Sequence, residues 1–155
     1  MPRITYLTEP FEHIRVGDAV VIVAVDDRGL VAMVRQNLPL HGESLSVPGG
    51  MIDPGEEPAA AAARELAEET GLRASSWRTA GVFAPMTTST QRLHFFEATG
   101  LTLGEPDRQP NEVAQGMTLE WWPLGKAVQA VWDGQVKLSG SALALLAYAA
   151  RNPVS

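Results

Sequence analysis

Apolar positions along the chain fall into two rhythms. AVVIVAV (19–25) is a continuous β-branched run, the pattern of a strand buried on both faces, and DDRG then turns the chain into LVAMVRQ (30–36), which predicts a hairpin. SLSVPGG alternates as a short strand before two glycines. WRTAGVFAPM and QRLHFFEATGL predict two further strands separated by the polar TTST, and TLEWWPL predicts a last one closed by Pro123. The helical rhythm covers three stretches: PAAAAARELAEET between Pro58 and Gly71, Leu124 to Trp132 ahead of Asp133-Gly134, and Ser141 to Ala150. Strands outnumber helices and helices interrupt them, so the expected architecture is α/β, a mixed sheet with helices on its faces. The polar stretch GEPDRQPNEVAQG (104–116) is expected to be a long loop, and a loop of that length in a compact domain is more often functional or disordered than idle.

The alanine-rich helix poses the chemical question. Alanine is the best intrinsic helix former, Pro58 suits a first helical position and Gly71 a stop, and Ala59, Ala62, Ala63 and Leu66 are expected to face the sheet. None of this accounts for Glu65, Glu68 and Glu69, whose spacing puts three carboxylates on one face, where they repel unless something positive sits among them. A hard divalent cation such as Mg2+ or Mn2+, which takes several oxygen ligands and is usually bound through carboxylates plus substrate phosphates, would fit. Glu56, at the helix start, is too far along the axis to join the same ligand shell and is expected to hold Arg64, so that Arg64 in turn fixes a glutamate. Gly49 and Gly50 would let a backbone carbonyl approach the metal closely. An alanine- and glutamate-rich helix is, by itself, ordinarily a solvated face.

The wider pattern lowers the weight of that plain reading. From Gly50 the chain reads GMIDPGEEPAAAAARELAEETGL, with Gly50, Glu56, Arg64, Glu65, Leu66, Glu68, Glu69, Gly71 and Leu72 at fixed offsets. This resembles the Nudix box at every defined position, and nine specified positions at one spacing are far more specific than a lone glycine motif. The resemblance implies a Nudix-fold α/β/α sandwich and water attack on a phosphorus of a nucleoside diphosphate linked to another moiety. It implies that Gly49, Glu65, Glu68 and Glu69 hold the metal, with Arg64 in the catalytic group and Gly50, Glu56 and Gly71 in support. Glu68 and Glu69 are both expected at the surface of the site.

Composition and charge narrow the partners. The 155 residues suit one domain, 1–155, and the formal net charge of −6 with 12 scattered basic residues argues against a nucleic-acid backbone binder. An acidic protein can still take phosphates through a bridging metal. Zero cysteines exclude thiolate zinc sites and cysteine nucleophiles. The longest apolar runs are too short for a membrane span, and MPRITYLTEPFEH lacks the order of a secretory leader, so a cytoplasmic enzyme is expected.

The flanks indicate the branch. MVRQNLP, VPGGMIDPGEE, APMTTSTQRLHFFEA and WDGQVKLSGSALALLAYAA are similar, in order, to the ADP-ribose and nucleoside-diphosphate-sugar pyrophosphatases, with Pro85 standing 14 positions beyond Gly71 as that branch's characteristic proline. The resemblance implies cleavage of ADP-ribose or a related nucleotide sugar to a nucleoside monophosphate and a sugar phosphate. It also implies a homodimer. The branch often has an acid in the loop after the proline, where this chain has Thr87, Thr88, Ser89, Thr90 and Gln91. It often draws a catalytic glutamate from a loop before the last strand, and Glu112 is the candidate here; otherwise Glu68, Glu69 or the metals would activate the water. Arg35 either contacts the pyrophosphate or terminal ribose or is a surface arginine at a strand end. Trp121 and Trp122 point to opposite faces of a strand and are both expected in the core. His13, His41 and His94 are too scattered for a shared site. Two other functions fit the same chain: a nucleoside-triphosphate (dNTP) pyrophosphohydrolase, and a non-catalytic regulator that binds a nucleotide sugar.

Overall fold

The computed structural model describes residues 4–153, so the five outermost residues of the predicted 1–155 domain lie outside the described residues. Nine strands and four helices are described: β1 (Ile4–Leu7), β2 (His13–Val16), β3 (Ala19–Ala24), β4 (Leu30–Leu38), β5 (Gly42–Ser46), β6 (Gly49–Met51), α1 (Pro58–Thr70), β7 (Leu72–Phe83), β8 (Leu93–Leu103), α2 (Pro110–Ala114), β9 (Thr118–Pro123), α3 (Leu124–Trp132) and α4 (Ser139–Arg151). A mixed four-stranded sheet runs β6-β3-β8-β7, and a three-stranded antiparallel sheet runs β5-β4-β9. β3 lies parallel to β8, with Val21 opposite Phe95, and antiparallel to β6, with Val20 opposite Gly50. None of the described helices is long and apolar enough to cross a membrane.

The predicted hairpin of residues 19–25 and 30–36 is a correction. A turn does join them: Asp26 Oδ1 accepts the Arg28 and Leu30 backbone N–H groups, Gly29 takes φ +81°, and Val25 bridges Val31. Beyond that bridge the strands part into different sheets. A strand has two edges, and both edges of β3 are taken by β6 and β8, so β4 pairs with β5 and β9 instead.

Alternation along β3 builds two cores. Val20, Ile22 and Ala24 pack with Ala61, Ala62 and Leu66 of α1 and with Phe96 and Ala98 of β8. Val23 and Val25 pack on the other side with Met33, Leu45, Phe95 and the small residues Ala127, Ala130 and Ala144 of α3 and α4. Helices thus cover both sides of the strands, as the α/β reading expects. Trp121 packs against the α1 cluster and Trp122 against the α3–α4 cluster, each half-buried at the edge of a core and not inside it as expected.

Three boundaries differ from expectation. β7 begins directly after Gly71, five residues before the predicted start at Trp77, and an N-terminal hairpin β1–β2, none of whose residues is fully buried, was not foreseen. The 104–116 segment is not loop throughout: it contains α2, started by Pro110 and capped at that same N-terminal end by a capping box between Gln109 and Glu112. On α1 the buried residues are Ala61, Ala62, Glu65, Leu66, Glu69 and Thr70, while Ala59 and Ala63 are exposed. The packed face is rotated from the expected Ala59, Ala62, Ala63 and Leu66, so that Glu65 and Glu69 turn inward with the core.

Leu66 is fully buried between α1 and the mixed sheet. Leu66→Ala should lower unfolding free energy by about 2–5 kcal/mol, read as a lower urea midpoint at unchanged slope; a shift under about 0.5 kcal/mol would mean that this face of α1 is not packed as described.

Candidate active site

The site starts from the end of α1. Gly71, at φ +78°, is the left-handed stop, and a Cβ there would run into the Gly104 carbonyl. One turn earlier, inward rotation of the helix carries Glu65 and Glu69 to the core edge, 7% and 3% exposed. Glu69, though buried, lines the smaller of the two clefts described below, and Glu68 is half-buried at the edge of the larger.

Arg64 organises the acids. Its Nε and Nη2 donate to the two Glu56 oxygens at 2.9 and 2.8 Å, its Nη1 donates to Glu65 at 2.8 Å and Glu68 at 3.2 Å, and Nη2 also donates to the Met51 carbonyl at 3.0 Å. Glu56 also accepts the Asp53 backbone N–H at 3.0 Å. The Arg64 hydrogen bond is the main reason Glu56 is held down to about 2. Arg64 is pushed above its ordinary value, first by Glu56 and then by Glu65. Glu56 holding Arg64, and Arg64 fixing a glutamate, is the arrangement the spacing led us to expect.

The glycines fit this packing. Gly50 has no side chain because a Cβ there would overlap the Glu65 carboxylate, and a Cβ on Gly49 would strike the Val20 carbonyl of β3. The Gly49 backbone N–H donates to Glu69 Oε1 at 3.0 Å. These close approaches give both positions a structural reason to be glycine.

A third acid comes from far along the chain. One oxygen each of Glu65, Glu69 and Glu112 lies within 4.8 Å of the others. Burial is the largest effect on both helix carboxyls: it pushes Glu65 up to about 7 and Glu69 well above its ordinary value, with Glu112 adding to each rise. Three close carboxylates, two of them buried, form a hard-oxygen donor set that fits Mg2+ or Mn2+.

Two clefts meet at Gly50. One, of about 480 Å³, is polar and lined by Asp53, Arg64, Glu65, Glu68, Asn111 and Glu112 among others. The other, of about 330 Å³, reaches Glu69 and is walled by Val21, Leu93, Leu138 and Pro85, with Gln36 and Gln91 offering amides. Ser46 also lines it, and its buried hydroxyl has no hydrogen-bond partner among the described residues.

Not every anticipated residue comes to this place. Arg35 is outside both linings; its guanidinium is paired with Glu120 and, at 3.0 Å, with Glu43, while its neighbour Gln36 points into the smaller cleft. His94 bonds Asp18 at 2.9 Å. The TTST segment is strapped to β2, with Thr90 Oγ1 accepting the Val16 N–H at 2.9 Å, a structural use of its hydroxyl. Arg108 was not foreseen: it lies 39 residues from Glu69 in sequence yet donates to the Glu69 carbonyl at 2.9 Å. A tertiary contact of that kind leaves no local pattern.

Comparison with known proteins places the geometry in a family context. The NUDIX domain model matches residues 15–139. The chain is 38% identical over 125 residues to an ADP-ribose pyrophosphatase of Mycobacterium tuberculosis, covering 76% of this chain and 58% of that one. It is 32% identical over 145 residues to a CMP-5'-(N-acetyl-N-hydroxy-3-aminopropyl)phosphonate hydrolase of Streptomyces rubellomurinus, covering 90% of this chain and 68% of the relative. Among solved structures, an ADP compounds hydrolase superposes with a TM-score of 0.76 at 22% identity, over 92% of this chain and 79% of that one.

Because the folded state binds protons at Glu65 and Glu69 more tightly than the unfolded chain does, ionising them opposes folding. The stability they allow is fully present below their ordinary value of 4.5; the Glu65 share is lost as pH rises through about 7, and the Glu69 share as pH rises well above its ordinary value. Metal-free protein should therefore melt at a lower temperature at pH 8 than at pH 5, and Mn2+ should narrow the gap. A melting temperature that rises with pH over that interval in metal-free buffer would contradict the description of these carboxyls.

Proposed function

The chain belongs to the Nudix family, and on that premise we propose that it is a hydrolase of the pyrophosphate bond in a nucleoside diphosphate joined to a second group, ADP-ribose or a related nucleotide sugar. The observation that carries the reading is the carboxylate cluster of buried Glu65 and Glu69 with half-exposed Glu112 where the two clefts meet. The relatives named for ADP-ribose and for a CMP-linked phosphonate support a substrate of this type.

In this reading Glu65, Glu69 and Glu112, with Glu68 at the cleft edge and the Gly49 carbonyl, would hold Mg2+ or Mn2+. When bound, the metal supplies charge neutralisation at the phosphates and lowers the pKa of water. Arg64 keeps Glu65 and Glu68 in place while itself held by Glu56. Glu112, facing them from another segment, takes the proton of the attacking water. Water oxygen adds to one phosphorus, the bridging P–O bond breaks, and two phosphate-bearing products leave, a nucleoside monophosphate and a sugar phosphate.

The smaller cleft suits the uncharged part of such a substrate. Its apolar walls would pack against a ring, Pro85 among them, and Gln36 and the Ser46 hydroxyl would meet its polar edge. A homodimer belongs to the same proposal, with the β1–β2 hairpin, on which Ile4 and Tyr6 are exposed, as the surface for a second copy.

With Mg2+ and ADP-ribose, Glu69→Gln and Glu112→Gln should each reduce turnover by roughly 10²-fold or more at unchanged fold, and reaction in ¹⁸O-labelled water should place the label on one product phosphate. A substrate panel in which only nucleoside triphosphates turn over moves the assignment to the pyrophosphohydrolase alternative, and tight nucleotide-sugar binding without turnover moves it to a regulator. Light scattering should report twice the 16.6 kDa of one chain; a mass of one chain removes the dimer.

A further inference from the structure

The third acid of the site has no strand or long helix to place it. Glu112 sits in a five-residue helix, half-exposed, at the end of a segment that leaves β8 at Leu103. What holds that segment is a set of contacts on the C-terminal end of α1. The Gly104 N–H donates to the Gly71 carbonyl at 2.8 Å, the Asp107 N–H to the Glu68 carbonyl at 2.8 Å, and Arg108 Nε to the Glu69 carbonyl at 2.9 Å.

These carbonyls have no partner within their own helix, because the last turn of any α-helix leaves its acceptors free. The negative end of a helix also favours a cation nearby. α1 cannot supply one, since its last turn contains no basic residue and carries Glu68 and Glu69 instead. Arg108 brings the missing charge from outside the helix, and it is half-buried against that end. The next residue, Gln109, starts α2, and its backbone N–H donates to Glu112 Oε2 at 2.7 Å.

We infer that Arg108 is a positioning residue: docked on the end of α1, it fixes the 104–109 segment so that Glu112 faces Glu65 and Glu69. The inference rests on the role proposed above for Glu112. It makes α1 both the carrier of two acids and the anchor of the segment that carries the third.

A double-mutant cycle on the full chain tests it, with Arg108→Ala, Glu112→Gln and the pair, read both as kcat and KM for ADP-ribose with Mg2+ and as Mn2+ affinity by electron paramagnetic resonance without substrate. Arg108→Ala should lower kcat roughly 10- to 100-fold with KM nearly unchanged and weaken Mn2+ binding. Neither loss should deepen when Arg108→Ala is added to Glu112→Gln, and Arg108→Lys should restore most of both. Losses that multiply in the pair, while Glu112→Gln alone is impaired, overturn the positioning role and leave the proposed function standing. Normal turnover and normal Mn2+ affinity in Glu112→Gln overturn both. If Arg108→Ala does not fold, Arg108→Gln, which keeps a donor and drops the charge, runs the same cycle.

Discussion

Two carboxyl groups held out of water beside a single guanidinium are the constraint from which the rest of this molecule follows. Burying acids is costly unless they are paired or protonated or share a cation. Here Arg64 reaches only one of the two buried groups, and Glu69 has the Gly49 N–H in its place. The surroundings are arranged around that imbalance: Gly50 gives Glu65 room, Glu56 keeps Arg64 in position, and Glu112 adds a third negative group that only a cation would make favourable. A helix that had merely to cover the sheet would not accept these costs.

Much of this was legible in the sequence because it is local. Pro58 and Gly71 bound the helix where expected, and the eight-residue step from Glu56 to Arg64 led to the pairing that the structure shows. Adjacent Trp121 and Trp122 had to diverge, as alternation on a strand requires. What was hidden is tertiary. Nothing in AVVIVAV says which neighbours take its two edges, so the turn at Asp26 looked like a hairpin although its strands separate. The alanine face was placed out of phase because spacing alone does not tell that Glu65 and Glu69 share the buried side of the helix. Arg108 and its carbonyl partner are joined only by folding, and α2 was masked by the polar composition that usually marks a loop.

The two clefts divide the labour by polarity. Acids and the Arg64 guanidinium line the larger one, where charge must be handled, while valine, leucine and proline wall the smaller one, with amide and hydroxyl groups placed singly. Gly50 lies in both, so any molecule filling the pair would pass over the backbone against which the Glu65 carboxylate packs.

The parting of β3 from β4 has a mechanical consequence. Gln36 and Ser46, on one wall of the smaller cleft, belong to the three-stranded sheet, while Val21 and Leu93 opposite belong to the mixed one. No continuous ladder spans the gap between those walls, yet backbone ties them at two levels: the Val25–Val31 bridge at one margin, and at the cleft itself the Ile22 N–H, which donates at 2.9 Å to the Pro48 carbonyl on the short run from β5 into β6. The smaller cleft is therefore a seam between two sheets stitched at both levels, and whatever fills it meets side chains from each sheet without interrupting the strand pairing of either.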